Sequence, residues 1–170
     1  MKDREPIPRV GEPAVGNGAR PTSIRYRVKL LSLTVVRDGS APDPRILSSP
    51  SAVVDLMREL LPDDDREHLW ALYLNSQNHL LEVYPVSTGT LTASLVHPRE
   101  VFKPAILRAA ASVIVVHNHP SGDPTPSKED LQLTRQLTKA AEVLDLRLHD
   151  HVIIGNGTGR WVSLAERGVL

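Results

Sequence analysis

Cysteine is absent from this 170-residue chain. That excludes a disulfide framework and any metal site built on thiolates, and it fits a reducing compartment such as the cytoplasm. Aromatic residues are scarce: one Phe, two Trp and three Tyr are too few for the stacking platform of a single-strand nucleic-acid binder. An excess of one charge is missing as well. Twenty basic and twenty acidic residues cancel, so no global field draws the chain to nucleic acid or to an anionic membrane. No apolar run approaches the length of a membrane span, and the start, MKDREPIP, lacks the apolar core of a signal segment. The expectation is a cytoplasmic protein with no membrane association and no autonomous nucleic-acid binding. A chain of this length can bury about two-thirds of its unfolded surface and needs no covalent staple to fold.

What is present divides into a tail and one domain. Residues 1 to 22 mix Pro, Gly and charge with no period and read as a disordered tail; residues 23 to 170 read as one α/β domain. Ile24, Tyr26, Val28 and Leu30 alternate with Arg25, Arg27 and Lys29 as a half-buried strand, and the phase flip at Leu30-Leu31 suggests a bulge. The cationic row on its other face reads as a guard against edge pairing. Ser49 and Pro50 supply an N-cap and N1 pair for a helix with Val53, Leu56, Met57, Leu60 and Leu61 inward, ended by Pro62. The acidic run at 63 to 67 follows as solvated loop. Leu69 to Leu74 and Leu80 to Val86 flank NSQN as a hairpin. Pro98 to Ala111 has Phe102, Ala105, Ile106 and Ala109 at helical spacing, entered at His97, while His68 and His79 read as surface residues. Near the C-terminus a strand runs through Val152 to Ile154, Asn156 to Gly159 is a turn, and Trp161 and Leu164 are core candidates.

The chain is organised around VIVVHNHPSGDPTPSKED, from Val113 to Asp130. Val113 to Val116 is a short β-branched run that reads as a buried strand, and His117 and His119 follow at spacing two, so both imidazoles leave one face. Gly122, Pro124 and Pro126 force a turn. Ser127 to Leu144 then has helical periodicity, with Leu133, Leu137, Ala140, Ala141 and Leu144 on one stripe and Asp130 in the first turn. Two nitrogen ligands and one carboxylate can meet across this loop, with the fourth position left to water. That is how a catalytic zinc is held, whereas structural zinc sites are closed by four protein ligands. Ser127 and Asp130 also form S-x-x-D, a capping-box start in which the serine accepts a backbone N–H. A non-haem iron centre uses two histidines and a carboxylate too, but nothing here signals an oxidisable co-substrate. His149, Asp150 and His151 offer a second pair of imidazoles at spacing two on one strand.

His117-x-His119, seven residues, Ser127, two residues, Asp130 resembles the JAMM motif of the JAB/MPN metalloprotease superfamily without a gap. HNHPSGDPTPS, with Asn118 between the histidines, is similar to the RadC-like branch. Further matches are VSTGTL at Val86 to Leu91, VHPREVF at Val96 to Phe102 and LHDHVIIG at Leu148 to Gly155. Asp150 and His151 lie inside the last match but outside the metal motif, so the resemblance implies that they orient a ligand or fill a polar pocket rather than ligate. Nothing in residues 1 to 50 reads as the helix-hairpin-helix segment that precedes this domain in full-length RadC proteins, so a DNA-binding role attached to that segment does not carry over. The resemblance implies the JAB/MPN (cytidine-deaminase-like) fold, a mixed β-sheet packed by helices, with Zn²⁺ on His117, His119 and Asp130. It implies hydrolysis of a peptide or isopeptide bond in a peptide or protein substrate. Ser127 would donate to the oxyanion if its hydroxyl is free of the cap.

A metal-activated water also needs a carboxylate that is not a ligand. In the superfamily this glutamate opens a strand upstream of the histidines, a relation in which Glu67 stands before LWALYLN. Glu100, in a helix's first turn where the dipole already explains it, is second, and Glu82 third. A scaffold without turnover, as in superfamily members lacking ligands, and a part in DNA repair are the competing functions.

Overall fold

A computed structural model describes residues 45–62, 64–89 and 96–170. The expected tail at 1–22, the alternating strand from Ile24 with its bulge, Asp63 and the end of the VSTGTL match lie outside the described residues.

Among the described residues eight elements follow in order: α1 (Pro50–Leu60), β1 (His68–Leu74), β2 (Leu80–Thr88), α2 (Pro98–Leu107), β3 (Ser112–His119), α3 (Lys128–Val143), β4 (Arg147–Gly155) and β5 (Trp161–Ser163). The strands form one mixed sheet in the order β2-β1-β3-β4-β5. β1 pairs antiparallel with β2 and β3, β4 runs parallel to β3, and β5 returns antiparallel to β4. A parallel pair needs a crossover, and α3 is that crossover. β3 is the central strand, buried on both faces, which is why it reads as an unbroken apolar run rather than an alternation.

Alternation sorts the strand residues onto two faces. Leu69, Ala71, Tyr73, Val113 and Val115 pack with Val101, Phe102 and Ala105 of α2 and Leu133, Leu137 and Ala141 of α3. Leu72, Leu74, Ile114, Val116 and Val152 pack with Val53, Val54, Leu56 and Met57 of α1 on the other face. The residue spacing places His117 and His119 on the α3 face, in line with Val113 and Val115. In β4 the register slips by one residue between Val113 and Ile114 of its neighbour: Leu148 pairs with Val113, Asp150 with Ile114 and His151 with Val115. His149 is the extra residue. Below it the parity reverses, so His151, not Asp150, follows Leu148 onto the α3 face.

The helix at Pro50 starts as read, with the Ser49 side chain accepting from the backbone N–H of Ala52. Leu60, expected inward, is 43% exposed, and Val54 fills the core instead. In α2, Phe102 and Ala105 are buried, but Ile106 and Ala109 face solvent and Val101 takes their place. The helix stops at Leu107, before Ala109 in a left-handed conformation. The stripe of α3 ends at Ala141, since Leu144 is exposed at the C-cap. Trp161 is partly buried against the α1 side and Leu164 is fully buried. No helix among the described residues is long and apolar enough to cross a membrane.

Candidate metal centre

The central strand delivers two imidazoles to the mouth of the sheet, and the first turn of the crossover helix delivers a carboxylate. His117 Nε2 and His119 Nε2 lie 2.9 Å apart. Asp130 Oδ1 is 3.3 Å from the first and Oδ2 is 3.5 Å from the second. One ligand atom from each of the three residues falls within 4.8 Å of the others. His117 and Asp130 are buried, while His119 is partly open to a cleft of about 640 Å³ that also meets Glu67, Gly89, Ser121 and Ser127.

Each of the three groups is held from behind. His119 Nδ1 is 2.7 Å from the carbonyl of Asp123. A carbonyl only accepts, so Nδ1 carries a proton, and in the neutral ring Nε2 turns a lone pair to the cleft. Asp130 Oδ2 accepts from the Ser127 backbone N–H and from its hydroxyl, both at 2.7 Å, and Ser127 Oγ accepts in return from the Asp130 N–H. The capping box is therefore formed, and it uses the serine hydroxyl that the oxyanion role would need. His117 Nδ1 is 2.8 Å from His151 Nε2.

The electrostatics follow from this crowding of donors. Asp130 beside His119 raises that imidazole above its ordinary value of 6.5, against the opposing effect of burial, and the Asp123 carbonyl and the charge of Glu67 add to the rise. Burial would raise the Asp130 carboxyl, yet the neighbouring imidazoles of His117 and His119 and the hydrogen bond from Ser127 hold it far below the usual carboxylate range. His151 is wholly enclosed, and burial together with His117 pushes it well below 6.5. Two imidazole nitrogens and a carboxylate aimed at one point favour a cation among them. Three N and O donors, each fixed by an outer hydrogen bond and open on one side to a cleft, fit a divalent metal ion.

The structure separates the three glutamates. Glu67 lies on the cleft wall beside His119, immediately before β1. Glu100 is exposed on α2 and pairs with Arg99 at 2.9 Å, and Glu82 pairs with Arg108 at 2.6 Å on the opposite edge strand. It also divides Asp150 from His151. Asp150 spends its oxygens on Ser163 Oγ and the backbone N–H groups of Ala165 and His151, on the α1 side, while His151 meets His117.

Several contributors carried no obvious sequence signal. His68, read as a surface residue, is buried at 6% exposure; its Nε2 sits 2.8 Å from Asp64 and its Nδ1 3.2 Å from Thr88. Asn118 bridges the chain on either side of Glu67, accepting from the His68 N–H at 2.8 Å and donating to the Arg66 carbonyl at 2.9 Å. Thr134, wholly buried, touches His151. Its one signal was a polar residue within the apolar stripe of α3, one turn beyond Asp130.

A mixed sheet whose central strand ends in two histidines, closed by an aspartate on the crossover helix, defines an α/β domain of the JAB/MPN class. The chain belongs to the RadC-like JAB domain family, whose profile matches residues 47–169. Similar curated proteins include a UPF0758 protein of Desulforamulus reducens, 50% identical over 125 residues, covering 74% of this chain and 54% of that protein. Another, from Syntrophotalea carbinolica, is 51% identical over 123 residues, covering 72% and 53% respectively. A third, from Syntrophomonas wolfei, is 47% identical over 156 residues, covering 89% and 64%. The chain thus spans between about half and two-thirds of the length of these relatives.

Proposed function

We propose that this domain is a zinc-dependent hydrolase of peptide or isopeptide bonds, acting on a peptide or protein substrate. The observation that carries the reading is the convergence of His117, His119 and Asp130 in the same cleft that Glu67 walls. His117 and His119 would hold the ion through Nε2 and Asp130 through its carboxylate. Bound there, zinc supplies Lewis-acid polarisation of a carbonyl and lowers the pKa of a water towards about 7.

The chain's own groups do the rest. Glu67 takes the proton from the attacking water as the carbon–oxygen bond forms, and it returns that proton to the amine as the carbon–nitrogen bond breaks. Ser127 holds Asp130 in the resting site. Its hydroxyl can turn to a developing oxyanion because its backbone N–H still secures Asp130 Oδ2. The enclosed rear of the site, where His117 and His151 meet, keeps bulk water from the imidazoles.

The test is elemental analysis of the purified protein beside His117→Ala and Asp130→Ala. We expect about one zinc per chain, lost in both variants. A folded wild type that takes up no metal after zinc addition would leave the site a relic and favour a scaffold.

A further inference from the structure

Behind His117 a chain of hydrogen bonds leads from the cleft through the core to the backbone of α3. Thr134 Oγ1 is 2.6 Å from the Asp130 carbonyl oxygen and 2.7 Å from His151 Nδ1. A threonine hydroxyl has one proton, and the carbonyl can only accept, so that proton points to Asp130. Thr134 must then accept from His151, which places a proton on His151 Nδ1. His151 is fully buried, and its two ring nitrogens meet Thr134 Oγ1 and His117 Nδ1. A charged imidazole there would be costly, so the ring is neutral and its Nε2 is an acceptor. His117 Nδ1, 2.8 Å away, is therefore the donor.

We propose that Thr134 and His151 form a tautomer relay that fixes the proton of His117 on Nδ1 and turns its Nε2 lone pair into the cleft. The relay rests on the reading of that cleft as a metal centre, because a ligand must offer a lone pair. Its anchor is the carbonyl of Asp130, whose carboxylate is the third ligand. One residue thus sets the carboxylate by its side chain and the far imidazole by its backbone. His119 has its own anchor, the Asp123 carbonyl, and is independent of the relay. Thr134 and His151 touch neither metal nor substrate and act through His117, as positioning residues.

Long-range proton–nitrogen correlation spectra of the zinc-free protein at mildly alkaline pH report which nitrogen of each ring is protonated. The wild type should show Nδ1–H on His151, His117 and His119. Thr134→Val removes the hydroxyl at nearly constant volume; His151 and His117 should leave that state while His119 keeps it. Titration of Zn²⁺ against a chromophoric chelator should then show affinity reduced about 10–100-fold, with Thr134→Ser restoring both tautomer and affinity. His151 protonated on Nε2, or on both nitrogens, in the wild type would overturn the relay. So would a folded Thr134→Val that binds zinc as tightly as the wild type. A wild type with the expected tautomers and no zinc uptake supports the relay and instead defeats the metal-centre reading.

Discussion

Glu67 is set between two residues that one side chain grips. Asn118 holds the carbonyl of Arg66 and the N–H of His68, and Asn118 itself stands between His117 and His119. The proposed base and the two imidazoles are therefore referred to one rigid point on β3. Removing charge from the base without changing its shape should separate binding from turnover. Glu67→Gln is expected to keep about one zinc per chain while amide hydrolysis falls about 10²–10⁴-fold. Zinc analysis and a peptidase assay on the same preparation check this, and undiminished hydrolysis would assign the proton transfer to another group. The resemblance ranked Glu67 ahead of Glu100 and Glu82, but no stretch of sequence shows which of them reaches the cleft, because that depends on the fold. Glu82 and Glu100 are each paired with an arginine away from the cleft, and only the fold shows that Arg108 meets Glu82 across 26 positions.

Among the elements, the loop from Pro120 to Pro126 has the most to hold and the least regular structure with which to hold it. Its Asp123 carbonyl orients His119, so its placement is part of the site. The turn after β4 clamps it: Thr158 Oγ1 and an Arg160 guanidinium nitrogen both donate to the Gly122 carbonyl, at 3.1 and 3.0 Å. Gly122 has φ of 79°, a conformation that favours glycine, and a methyl group at Gly155 would overlap the Gly122 carbonyl. Gly155→Ala should accordingly push the loop off the sheet. We expect a loss of about 1–3 kcal/mol in stability together with weaker zinc binding, read by chemical denaturation and chelator competition. Unchanged zinc affinity would mean the loop does not set His119. The glycines and prolines announced a turn, but not what clamps it, since the partner turn lies more than thirty positions away.

For the whole molecule the site ties stability to pH. Without metal, His119 has its proton affinity raised above 6.5 by Asp130, so its contribution is complete below about 6.5 and is lost as pH rises through the raised value. Asp130 is depressed from 3.8, burial notwithstanding, by the neighbouring imidazoles of His117 and His119; its contribution is present above about 3.8 and is lost as pH falls through the depressed value. His119 and Asp130 therefore contribute most in mild acid, whereas enclosed His151, held well below 6.5 by burial, costs stability as pH falls below about 6.5. Zinc requires deprotonated imidazoles, which reverses the preference. The rise in melting temperature produced by zinc should be largest in mildly alkaline solution and should vanish in acid. Thermal scans with and without zinc across pH test this, and a zinc-induced rise that grew as pH fell would contradict it.

The local features of the site were determined by the sequence alone. Spacing two on a strand puts His117 and His119 on one face, and S-x-x-D at a helix start brings Ser127 and Asp130 together; neither needs anything outside eighteen consecutive residues. The same holds for the Ser49 cap and the NSQN turn, because backbone geometry and hydrogen bonding over a few residues settle them. Tertiary structure decided what depends on pairing between distant strands. By alternation from Leu148, Asp150 would face α3 and His151 would face away; the one-residue slip at His149 exchanges them and carries His151 to His117. It buried His68 between Asp64 and Thr88, and it exposed Leu60, Ile106 and Leu144, whose periodicity matched a core stripe but whose positions at helix ends met no opposing layer. Register and layer packing arise from contacts across the whole sheet, so no window of the chain contains them.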